Sequence, residues 1–252
     1  MEAHEHSARF EKITDMQPES PTLIEGLPGH GLVAAIAVDQ ITEQLGLHHY
    51  GNIISDTFPP VVTFEHGLVH DLVRVYGGKN PAILTLESDL ALPPYSFEPL
   101  SKCVINDLSK EFSRAIFLAG APAESESEIG QIVGVATNDA IKEELVEVGI
   151  EIPDEPGLVG GITGSIVREC YQEDIPTALL IVRAHPFLPD PEAAQSLIDN
   201  ALEPLVEFEI DTTSLKEQAE TIRREMRQIA EQYQQMFEEQ QVQDQPLSSM
   251  YQ

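Results

Sequence analysis

Gly29-His30-Gly31-Leu32-Val33-Ala34 fits the spacing G-x-G-x-x-A. Between a strand and a helix, that spacing makes a pyrophosphate cradle. The glycines let backbone approach phosphate, and the helix N-terminus attracts its charge. The acidic residue that would hold a ribose normally follows about 20 residues later. Asp56 is the candidate here, and it comes late. The same glycines serve equally well to let strand, turn and helix pack closely. A nucleotide- or nucleoside-binding enzyme using Gly29, Gly31 and Ala34 is therefore one functional reading of this chain.

The other reactive side chains form weaker sets. Glu87 and Asp89 close an apolar run and can be imagined as paired carboxylates at the end of a strand, the edge where α/β sheets bind ligands. No third partner is apparent. His4 and His6 lie near the N-terminus, His48 and His49 are adjacent, and His66 and His70 are four apart in an expected strand or turn. None has the helical H-E-x-x-H spacing or the paired cysteines of a zinc site. Cys103 and Cys170 lack a catalytic context and suit small apolar roles. Ser165 follows Gly164 directly, outside any G-x-S-x-G elbow, and suits a helix start. No catalytic set, metal or cofactor is expected.

The elements that must carry these residues alternate. Thr22 to Glu25 reads as a buried strand, and Leu32 to Leu45 as a helix stopped by Gly46. Strands follow at Ile53-Ile54, Val61 to Phe64 and Leu68 to Tyr76, the last two as a hairpin about Gly67. Pro81 to Glu87 and Ala115 to Ala119 are continuous apolar runs of the interior-strand kind. Helices are expected at Ser96 to Phe112, Asp139 to Val148 and Gly164 to Gln172, with another strand at Thr177 to Val182. Asp190-Pro191 opens a helix, with Asp as N-cap and Pro at its first position. The pattern predicts one domain over residues 11–210, a three-layer α/β sandwich with a mostly parallel central sheet. A flexible arm, residues 1–10, is expected before it.

Composition excludes several function classes. In 252 residues, 43 Asp and Glu face 14 Lys and Arg, for a formal charge of -29. Phosphate backbones need clustered cations, so no nucleic-acid partner is expected. Anionic lipid is disfavoured for the same reason, and no apolar run reaches the roughly 20 residues of a membrane helix. Without an apolar block in Met1 to Phe10, no signal peptide is expected, and the chain reads as cytoplasmic. The acidity is spread along the chain and lysine numbers only six, the surface of a halophilic, salt-screened cytoplasm. The melting temperature should accordingly rise in molar KCl; a flat or falling response would remove the salt-adaptation reading.

After residue 210 the chemistry changes. Leu215, Ala219, Ile222, Met226, Ile229, Tyr233 and Met236 recur in alternating steps of four and three, among polar neighbours and without glycine or proline. That is a heptad seam, so residues 211–241 are expected as a long helix that pairs with a copy of itself. The alternative is a terminal helix folded back on its own domain. Residues 242–252 are expected as a flexible tail. Its tether, Val242 to Ser249, extends on the order of 25 Å. The sequence then reads Met250-Tyr251-Gln252. A hydrophobic residue, a tyrosine and a terminal carboxylate suit a pocket that captures chain ends.

Four stretches together resemble the PAC2 family, archaeal relatives of proteasome assembly chaperones. They are Gly26 to Ala34, Pro81 to Phe112, Gly160-Gly161-Ile162-Thr163-Gly164, and Leu188 to Ala194. The resemblance spans almost all of residues 20–222. It implies an α/β sandwich of nucleoside-phosphorylase-like topology, homo-oligomers, and no established catalytic residues. Some archaeal members resemble proteasome activators in ending with a hydrophobic-Tyr-any residue motif. In those, the tail enters a pocket between adjacent α-subunits of the 20S ring, where its carboxylate meets a lysine. Met250, Tyr251 and Gln252 match that motif position by position. The resemblance thus implies a second reading: a non-enzymatic assembly chaperone or activator-like adaptor, with 20S proteasome α-subunits and itself as partners.

Overall fold

A computed structural model describes residues 7–222 and 224. Ten strands and six α-helices are found from Ala8 to Val206. Strand β1 (Ala8–Lys12) precedes β2 (Thr22–Gly26), then helix α1 (Val33–Gln44) and strand β3 (His48–Ser55). A small hairpin follows, β4 (Thr63–Glu65) and β5 (Leu68–His70), then β6 (Val73–Lys79) and β7 (Ala82–Ser88). Next come α2 (Phe97–Asn106), β8 (Arg114–Pro122), β9 (Ile132–Ala136), α3 (Asp139–Glu147), α4 (Gly161–Gln172) and β10 (Thr177–Ala184). Helix α5 (Pro191–Leu197) runs through a π-helical turn into α6 (Glu203–Val206).

The main sheet has eight strands in the order β1-β3-β6-β7-β2-β8-β10-β9. Its centre is parallel: β2 pairs parallel with β7 and β8, and β8 with β10. Its flanks are antiparallel, so the sheet is mixed rather than parallel throughout. Connection length decides which. A two-residue turn, Asn80 and Pro81, joins β6 to β7, and so short a link permits only an antiparallel pair. Strands β7 and β8 are joined through α2 and run parallel on either side of β2.

Side-chain alternation on the central strands builds two cores, one on each face. Ile24, Ile116 and Leu180 pack beneath α1, α3 and α5. Leu23, Phe117 and Leu179 pack beneath α2 and α4. These are the expected three layers. All five residues of β2 are buried, which is why its sequence lacks the polar alternation of an edge strand.

Three expectations need correction. Residues 8–10, expected in the N-terminal arm, belong to an edge strand, Ala8–Lys12, antiparallel to β3. Phe10 stacks on Tyr50 at 6.3 Å, and Lys12 lies over the same ring and pairs with Glu111 at 2.7 Å. The helix expected to Phe112 ends as α-helix at Asn106 and tightens into a short 3-10 turn. The heptad helix begins on its own domain: residues 213–222 are helical, with Leu215 and Ala219 only 2% and 5% exposed. Leu215 belongs to the core beneath α1, so neither residue is available to a partner helix. The Gln44 side chain brackets the backbone of Asp211, and Ser214 bonds Gln40, which ties this helix start to α1. Ile222 is half-buried, while Met226, Ile229, Tyr233 and Met236 lie outside the described residues.

Candidate functional site

The glycine turn lies at the carboxyl ends of β2 and β8. Gly26 ends β2 where a Cβ would come within 2.5 Å of Val38, so α1 can cross the sheet closely. Gly31 has φ +63°, and Leu32 follows in the same left-handed region before α1 begins. The Gly31 carbonyl accepts the Asp190 N–H at 2.8 Å. Gly120 on β8 lies beneath the turn, where a Cβ would sit 2.2 Å from the His30 carbonyl oxygen. Ala34 is buried in the core. Packing and backbone torsion therefore account for Gly31 and Ala34. Gly29 differs: it is extended, and a Cβ there meets nothing within 4 Å. His30 Nε2 is buried without a hydrogen-bond partner.

A buried carboxyl that residue spacing does not single out lies beside this turn. Glu25, in the apolar strand Thr-Leu-Ile-Glu-Gly, is fully buried. Its carboxyl accepts the Leu27 N–H at 3.2 Å and faces the Thr163 hydroxyl at 3.4 Å. Burial pushes its pKa up to about 8, against which hydrogen bonds from Leu118 and Leu27 backbone and from Thr163 act only in part. Asp190 performs a parallel service nearby. It caps α5 through the Ala193 N–H at 3.0 Å and accepts the His185 N–H at 2.7 Å. Three of the four resembling stretches, those containing Gly31, Thr163 and Asp190, thus meet around the ends of β2, β8 and β10. A carboxylate inside an otherwise apolar strand was the available signal for Glu25.

Glu87 and Asp89 line a cavity of about 590 Å³ with His70, Arg74 and Tyr76, walled by α1 and the small hairpin. Their hydrogen-bond partners differ. Glu87 accepts from Thr85 at 2.7 Å and from Thr42, and burial pushes its pKa up. Asp89 receives both terminal nitrogens of Arg74, at 2.5 and 2.9 Å, and that guanidinium holds its carboxyl below the usual range. Arg74 also reaches Thr63 and the Asp71 carbonyl, so the ion pair anchors the base of the hairpin.

The remaining candidates are internal. Burial raises the Cys103 and Cys170 thiols to about 12 and about 11, which leaves little thiolate for chemistry. Ser165 accepts from Ser101 at 2.9 Å between α4 and α2. His49 bonds Asn52 at 2.6 Å. Among the described residues, no His, Cys, Asp or Glu side chains gather as a metal site. No helix among them is long and apolar enough to cross a membrane. His4, His6 and Met250, Tyr251 and Gln252 lie outside the described residues.

The molecule is a three-layer α/β sandwich closed around a glycine turn and a buried carboxyl. The PAC2 family model matches residues 23–230, and the chain belongs to the PAC2 family. It is 27% identical over 231 residues to the uncharacterized protein MJ0106 of Methanocaldococcus jannaschii, covering 92% of this chain and 94% of that one. Two solved structures from Pyrococcus furiosus share the fold. PbaA, an archaeal homolog of proteasome-assembly chaperone, superimposes with a TM-score of 0.79 at 24% identity, covering 93% of this chain and 97% of its own. PbaB, an archaeal proteasome activator, gives 0.79 at 19% identity, covering 89% and 99%.

Proposed function

We propose that this chain is a non-enzymatic, homo-oligomeric adaptor or assembly chaperone that docks on the α-ring of the 20S proteasome through residues 250–252. The observation that carries the reading is a family fold shared over 89–93% of the chain with an assembly-chaperone homolog and a proteasome activator. In this reading the core is a nucleoside-phosphorylase-like scaffold without catalysis, working in a salt-rich cytoplasm. Tyr251 is the anchor, Met250 the apolar contact, and the Gln252 carboxylate the partner of a pocket lysine. Met226, Ile229, Tyr233 and Met236 continue the seam beyond the domain and bring tails together.

One tail has few atoms to bury, so its own affinity is modest. Several tails on one oligomer raise avidity by about 10²-fold when the tethers span the pockets. Tyr251→Ala, or removal of Gln252, is expected to abolish co-sedimentation with the α-ring while fold and oligomer persist. The measurement belongs at high salt, where acidic partners do not repel. Undiminished co-sedimentation rejects the tail. One observation favours the nucleotide-binding reading instead: no neighbour requires glycine at position 29. The same truncation separates the two, since an enzyme at the turn has no use for residues 250–252.

A further inference from the structure

The hairpin β4–β5 carries an unusual surface for so acidic a protein. Val61 to Val69 hold five of the fourteen large apolar side chains that stand exposed among the described residues. Val62, Phe64, Leu68 and Val69 are 70%, 76%, 67% and 69% exposed. Phe64 pairs across the strands with Val69, so the two lie on one face. The hairpin is a two-stranded sheet of its own, and the Arg74 bonds at its base hold it to the sheet edge. Two strands alone are marginal in water, and the exposed Phe64–Val69 face calls for a cover.

Charge selects the cover. Residues 59–70 contain one acidic residue and no Lys or Arg, in a chain whose formal charge is -29. Two copies repel wherever their acidic surfaces meet, and they approach at least cost through a patch that adds little charge. A cationic partner would be drawn to the acidic remainder and finds nothing to pair with here. The five side chains expose on the order of 500 Å², well over half of the roughly 800 Å² that each partner contributes to a standard interface. Depletion of charge with exposed aromatic and aliphatic groups is the composition of an interface core.

We propose that the β4–β5 hairpin is a self-association surface, on which a second copy of this chain seats its own hairpin across a two-fold axis. In such a contact each copy's Phe64 meets the other's Val69. The contact is independent of tail docking and separate from the heptad seam.

Sedimentation velocity of the full chain in molar KCl tests it. The wild type is expected to run as an oligomer. Phe64→Glu with Val69→Glu is expected to lower the sedimenting mass by a factor of about two or more, through loss of one two-fold contact. The milder pair Phe64→Ser with Val69→Thr keeps strand-compatible side chains and should weaken association at least about tenfold. Circular dichroism melts should stay near wild type, because the residues touch solvent. Met226→Glu and Tyr251→Ala leave hairpin pairing intact. A monomeric wild type, or an unchanged mass in both hairpin pairs, overturns the proposal.

Discussion

Gly120→Ala is expected to lower the melting temperature by about 6–12 °C, while Gly29→Ala leaves it almost unchanged. The added methyl at 120 would lie 2.2 Å from the His30 oxygen, 3.0 Å from its carbonyl carbon and 3.0 Å from Val33. Neither backbone can yield cheaply. Gly120 is paired with Val182 inside the sheet, and the turn is held by the Asp190 N–H on Gly31 and the Leu32 N–H on Gly29. Overpacking against side chains costs about 1–3 kcal/mol, and two fixed backbones place this case at the upper end. At about 3 kcal/mol, a chain of this size loses roughly 2–4 °C per kcal/mol. Gly29, extended and open, accepts a methyl within about 0.5 kcal/mol. Calorimetry of the two variants decides it. A Gly120→Ala melt within a degree or two of wild type would show that the turn and β8 do not interlock.

Glu25→Gln is expected to stabilise the protein, increasingly so as pH rises. The carboxyl's folded pKa of about 8 stands above its ordinary 4.5. The native state therefore holds a proton that the unfolded chain releases. The contribution of Glu25 is complete below pH 4.5, declines as pH rises through 8, and stays low above that. Glutamine keeps an acceptor for the Leu27 N–H and does not titrate. The difference between variant and wild type should be small at pH 5 and reach a few kcal/mol, on the order of 10 °C, by pH 9. Melting curves of both proteins across that range supply the test. Parallel dependence on pH would mean that Glu25 keeps ordinary acidity.

The parallel centre of the fold was legible because its strands are buried on both faces. Thr22 to Glu25, Ala115 to Ala119 and Thr177 to Val182 need no polar positions, so they appear as apolar runs. The flanks were harder. In β1, Ala8–Lys12, every second residue is exposed, and its charges resemble those of a tail. In β9, Ile132–Ala136, a glycine interrupts the pattern; it is there because a Cβ would meet Ile150 at 2.9 Å and Leu145 at 3.0 Å. The glycine turn was legible as a turn, but not its purpose. Gly31 answers to a left-handed torsion and to the loop at Asp190, contacts made across more than a hundred residues of chain.

What the sequence determined by itself is periodicity: which side chains avoid water, where helices start and stop, and that residues 215–236 carry a stripe. Hydrophobic spacing states that a residue is to be buried. It does not state against what. Tertiary structure alone assigned Leu215 and Ala219 to their own domain, enclosed Glu25 without a counter-charge, and left Phe64 and Val69 uncovered. Each outcome depends on surfaces brought together from distant parts of the chain, and burial energy follows the area those surfaces remove from water, whatever their order along the backbone.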